Sequence, residues 1–140
     1  GGNGSITNVI QVVTTATTGD AADFGDLTAA RRRVSGSGNS TKIITFGGRE
    51  SSGIVNKIEQ FTTASAGDAT DFGDLTAARE WGGSTSSPII AVFGGGDTSS
   101  RTNTIEKVTI ASAGDATDFG DLTVARNTVA ATSSGHGGIG

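Results

Sequence analysis

Ala64-Ser65-Ala66-Gly67-Asp68-Ala69-Thr70-Asp71-Phe72-Gly73-Asp74-Leu75-Thr76 recurs letter for letter from Ala111 to Thr123, and a worn copy runs from Gly19 to Thr28. The aligned glycines Gly19, Gly67 and Gly114 stand 48 and 47 positions apart. Tandem copying at a fixed period outranks any single residue here, because a repeat protein is built unit by unit, each unit burying its apolar face on the next.

A period of about 47 residues is the length of one four-stranded β-propeller blade. Three such units, at approximately 1–46, 47–93 and 94–140, use the whole chain of 140 residues. The expected fold is all-β, with four-stranded antiparallel blades and about three blade-equivalents. Composition agrees: 23 glycines, one proline and 34% hydrophobic residues describe a turn-dense β protein, and helix is expected to be scarce.

Working outward from the repeated block, Lys42-Ile43-Ile44-Thr45-Phe46-Gly47-Gly48 lines up with Ile89-Ile90-Ala91-Val92-Phe93-Gly94-Gly95 as a second strand. Asn56 to Thr62, Asn103 to Thr109 and Asn8 to Thr14 align as third strands. The block itself supplies a Gly-Asp turn and a fourth strand carrying Phe72 and Leu75, or their counterparts Phe24 and Leu27, and Phe119 and Leu122. Arg31, Arg79 and Arg126 then fall on one equivalent position, ahead of weak first strands over Arg33–Ser37, Trp81–Thr85 and Thr128–Thr132.

Three blades do not close a ring in the usual range of about 4–8, and an open ring leaves sheet faces and edges in water. Ile139-Gly140 followed by Gly1-Gly2 reproduces the Phe-Gly-Gly wording, as if the chain were cut inside a longer array. The absence of methionine fits processing of the chain or its excision from a longer polypeptide. Completion is therefore expected from a second copy, giving six blades, or from a longer parent chain.

The order Phe-Gly-Gly, Asn-x-Ile-Glu, Thr and an aromatic strand ending Leu-Thr-x-Ala-Arg resembles the kelch repeat over nearly the whole chain. The resemblance implies that Gly47-Gly48 and Gly94-Gly95 end second strands, and that Glu59 and Glu106 lie in third strands. Phe72 and Phe119 would begin fourth strands, and Arg79 and Arg126 would open the next blades. Two departures stand out: the usual tyrosine and tryptophan of that family are missing, and the one Trp81 lies just after Arg79. The Gly-Asp-Ala-Thr-Asp-Phe-Gly-Asp-Leu-Thr wording is similar to divergent kelch-like repeats of virus and phage structural proteins, which implies a virion or extracellular setting. Fold alone does not assign an activity.

Net charge is −4, which offers phosphate backbones and anionic lipid no attraction, so neither nucleic acid nor membrane insertion is expected. No apolar run approaches the roughly 20 residues of a membrane helix. Without cysteine or tyrosine, the copper-radical chemistry of kelch-like oxidases has no residues to run on. The recurring aspartates, Asp71, Asp74, Asp118 and Asp121 among them, put carboxylates three apart. They read as turn and pairing groups more readily than as a cation site.

Arg31, Arg79 and Arg126 are expected to brace neighbouring blades through carboxylates or carbonyls, with ligand contact as the alternative role. The Arg31-Arg32-Arg33 cluster is too short, in an acidic chain, to be a nucleic-acid patch. His136 sits among glycines and serines without a nucleophile context, and Gly94-Gly95-Gly96 lacks the lysine and helix of a phosphate cradle. Trp81 is the one aromatic candidate for stacking on a sugar. No catalytic residue, metal or cofactor is expected. The function expected is a non-enzymatic structural or binding module of a larger assembly, with a glycan-binding propeller carrying equivalent inter-blade sites as the alternative.

Overall fold

The computed structural model describes residues 6–133, which hold strands, turns and bends but no helix. In chain order the strands are β1 (Thr7–Val12), β2 (Ala22–Arg31), β3 (Ser35–Gly38), β4 (Lys42–Phe46), β5 (Arg49–Glu50) and β6 (Gly53–Ile54). These are followed by β7 (Lys57–Thr62), β8 (Thr70–Asp74), β9 (Gly83–Ser86), β10 (Ile90–Gly94), β11 (Thr104–Thr109) and β12 (Thr117–Asp121). The protein is all-β. Two four-stranded sheets run in the orders β3-β4-β7-β8 and β9-β10-β11-β12, beside a two-stranded pair β1-β2 and a short ladder β5-β6. Every pairing is antiparallel.

The second, third and fourth strands form where β-branched runs and the repeated block place them. The first strands differ. β3 and β9 begin two residues later than expected, because Arg33 and Trp81 take left-handed φ values of 61° and 64°. Their counterpart Thr128 does the same at 52°, and Thr128–Thr132 forms no strand. A first strand needs its second strand alongside, and for this repeat no such partner lies among the described residues. Ser133 nevertheless holds the position, its hydroxyl donating to the Ser86 carbonyl at 2.6 Å. The polar loop after β4 contains the β5-β6 ladder, which composition did not signal.

Hydrogen-bond register also moves one alignment by a residue. Thr45 faces Glu59, whereas Phe93 faces Glu106, so Phe93 is the counterpart of Thr45 and Gly94 of Phe46. The turn glycines equivalent to Gly47 and Gly48 (φ 54° and 106°) are therefore Gly95 and Gly96 (66° and 98°), with Gly94 ending β10. The segment from this turn to the glutamate is one residue shorter in the later repeat, and the slip absorbs that difference.

Pleat alternation then decides the core. Ile44, Phe46 and Ile58 on one sheet meet Ala91, Phe93 and Val108 on the next, and Phe72, Leu75, Ile110 and Ala116 seal the cluster's edge. Serines knit the two sheets along their first strands: Ser35 Oγ lies 2.7 Å from Ser84 Oγ, and Ser86 donates to the Gly38 carbonyl.

Candidate functional site: the contacts that join one repeat to the next

The expected bracing role of the repeated arginine is realised twice. Arg31 leaves β2, is buried, and forms an ion pair with Glu59 of the next repeat. Its Nη1 donates to the carbonyls of Gly47 at 3.0 Å and Lys57 at 3.5 Å. Arg79, 48 positions later, pairs with Glu106 and donates to the carbonyls of Gly95 at 3.2 Å and Thr104 at 2.8 Å. Burial lowers the Arg79 pKa to about 10, so the guanidinium stays charged at neutral pH and the ion pair holds. The glutamate is held in turn by the arginine's own repeat: Thr28 donates its hydroxyl to Glu59, and the Thr76 amide donates to Glu106 at 2.8 Å.

A backbone connection accompanies each clamp. The amides of Gly67 and Ala69 donate to the carbonyls of Phe24 and Asp26, each at 2.7 Å, while Asp68 Oδ1 accepts from the Asp26 amide at 3.0 Å. One repeat on, Gly114 and Ala116 donate to Phe72 and Asp74, and Asp115 Oδ1 accepts from the Asp74 amide at 3.0 Å. Thus Asp68 and Asp115 join repeats, a role that spacing alone did not reveal. Asp71, Asp74, Asp118 and Asp121 have exposed side chains. No group of three acidic or histidine side chains converges as a metal site among the described residues.

Close approach explains the glycine after the repeated phenylalanine. Gly73 pairs with Ile58 beside a bulge and has φ 150°, and a Cβ on it would occupy the space of the Gly114 carbonyl group. Gly120, its counterpart in an identical sequence block, has nothing within 4 Å of that point. The same asymmetry runs through the third copy. Phe72 is 2% exposed and Phe119 52% exposed, while Arg79 is buried and Arg126 lies on the surface, donating from Nε to the Val124 carbonyl at 3.3 Å.

A second cluster breaks the repetition. Glu80, buried, accepts hydrogen bonds from Arg33 Nη1 at 3.0 Å and from Arg49 Nε and Nη2 at 2.9 to 3.1 Å. Burial pushes the Glu80 carboxyl up, but the hydrogen bonds from Arg49 and Arg33, with their positive charges, outweigh it and hold the group below its ordinary range. The signal available in sequence was the mismatch Arg32, Glu80 and Asn127 at one equivalent position. Asn127 donates to Asp97 at 2.7 Å on the same rim.

Trp81 is 38% exposed, with the Arg33 guanidinium 4.7 Å above its ring. Arg33, Trp81 and Thr128, the three non-glycine residues with left-handed φ among those described, line one shallow hollow. His136 lies outside the described residues. No protein-family model and no curated protein matches the chain.

Proposed function

We propose that this chain is a kelch-like β-propeller segment serving as a non-enzymatic structural or binding module of a larger assembly, with a virion or tail appendage as the setting its repeat wording resembles. One observation carries the reading: an identical thirteen-residue block buries Phe72 against a following repeat and leaves Phe119 in water. The chain presents a finished contact surface whose partner is another unit of the same kind. One clamp joins the β1-β2 pair to the first four-stranded sheet and its counterpart joins that sheet to the second, a succession that supports the stacking expected of blades. The clamp residues recur in sibling repeats, whereas a catalytic set is ordinarily unique.

Imaging of the assembled particle tests this. A toroid of about 4–8 blades around a central axis supports it, and a particle without such an axis overturns it.

A second reading, glycan binding, is favoured by Trp81 alone, whose exposed ring lies beneath a guanidinium. Arg33 and Thr128 at the equivalent positions are not aromatic, so one site per chain is expected. Titration of Trp81 fluorescence with glycans, against a Trp81→Ala control on an array, decides it.

A further inference from the structure

We infer that a second copy of this chain docks head to tail, its N-terminal repeat seated on the open face of the C-terminal repeat through a third version of the clamp. This rests on the assembly reading above and names its partner.

Each internal contact has a donor half and an acceptor half. The donor half is a fourth-strand phenylalanine, the carbonyls on that strand, and the arginine that follows. The acceptor half is Gly-Asp-Ala at the start of the next block, with the third-strand glutamate and the residue two places beyond it. Two complete contacts use Phe24 and Arg31 on Glu59 and Phe61, then Phe72 and Arg79 on Glu106 and Val108. One unused half of each kind remains, at opposite ends of the chain.

The spare donor half is Phe119, the carbonyls of Phe119 and Asp121, and Arg126. The spare acceptor half is Gly19-Asp20-Ala21 with Gln11 and Val13. Both are exposed: Phe119 is 52% and Val13 56% accessible, and Ala21 lies open whereas its counterparts Ala69 and Ala116 are buried. The empty space beside Gly120 is where the equivalent glycine carbonyl of a neighbour, that of Gly19, belongs. Because the donor and acceptor patches differ, the contact is heterologous: it closes a ring if the rotation allows and otherwise propagates a filament.

The halves match in shape but not fully in charge. Gln11 stands where Glu59 and Glu106 supply carboxylates, so Arg126 would meet an amide and keep an uncompensated charge. The contact between copies is accordingly weaker than the two within the chain, and an acidic residue at position 11 should strengthen it.

The test is sedimentation equilibrium of the full chain across a concentration series, with Arg126→Glu, Phe119→Ser and Gln11→Glu. These side chains are exposed, so unfolding midpoints under dissociating conditions report folding separately. Expected are reversible association of the wild type and weakening of at least about tenfold by Arg126→Glu or Phe119→Ser. Gln11→Glu should tighten association by about tenfold. A monomeric wild type overturns the inference, as does association untouched by both donor-face variants. Loss of association in those variants together with wild-type particles lacking a central axis would uphold the docking and sink the propeller reading.

Discussion

The rings of Phe46 and Phe93 lie 5.4 Å apart and within 14° of parallel, although the two residues occupy different positions in their sheets. Had the later repeat kept the earlier register, Phe93 would sit level with Phe46 and point away from it. A one-residue slip reverses the face of every side chain, and here it turns two aligned phenylalanines toward each other. Truncating Phe93 to alanine is expected to cost about 3–5 kcal/mol. A double-mutant cycle with Phe46 should return a coupling of about 0.5–1.5 kcal/mol, measured by urea unfolding.

The buried Arg79–Glu106 pair should be far costlier to halve than to remove. Glu106→Gln or Arg79→Met leaves a desolvated charge or donor set unmatched and is expected to destabilise by about 3–5 kcal/mol. The combined Arg79→Met, Glu106→Leu protein should recover a large part of that loss. Arg126→Met, on the open surface, should stay within about 0.5 kcal/mol in dilute solution. Equilibrium denaturation of the four proteins checks all three statements.

Identical letters should give different answers at Phe72 and Phe119. Phe72→Ala removes a core ring and is expected to cost about 3–5 kcal/mol. Phe119→Ala removes an exposed ring whose neighbour is the Lys107 ammonium at 5.4 Å, and should change unfolding of the unassociated chain by less than about 1 kcal/mol. Equal effects in both variants would contradict the burial described above.

Glu80 supplies a pH signature. The folded protein binds the Glu80 proton more weakly than the unfolded chain does, so its contribution is complete above the ordinary carboxylate range. That contribution is lost as pH falls through the depressed folded value. Glu80→Gln should lower the urea midpoint at neutral pH. The gap from wild type should narrow as the solution is acidified below the ordinary carboxylate range.

The turn at Gly47 offers a backbone test. Its φ is 54°, and a Cβ there would fall on the Arg79 carbonyl, whereas Gly67 has nothing within 4 Å. Gly47→Ala is expected to cost more than about 2 kcal/mol, and Gly67→Ala to lie between neutral and about 1 kcal/mol stabilising. Thermal midpoints of the two variants separate the cases.

Repeat spacing made the strands β4, β7, β10 and β11 legible through their recurring β-branched runs, and β8 and β12 through the repeated block. It also made the bracing role of Arg31 and Arg79 legible, since an arginine recurring once per unit needs a recurring partner. The position of Phe93 was not legible: matching letters aligned Phe46 with Phe93, while the ladder follows loop length. The left-handed turns at Arg33, Trp81 and Thr128 were hidden as well, because none of these residues carries a turn signature. The Glu80 cluster was visible only as a mismatch among copies, and its meaning depends on Arg49 folding back from the β5-β6 ladder.

Both four-stranded sheets take up their strands in chain order, with only the short β5-β6 ladder looping out between β4 and β7, so no strand must thread past another to reach its neighbour. Such a chain can begin to fold in either sheet and grow outward, with short loop closures at each step. It also tolerates change in whole units: duplicating one repeat lengthens the stack without altering the path of the rest.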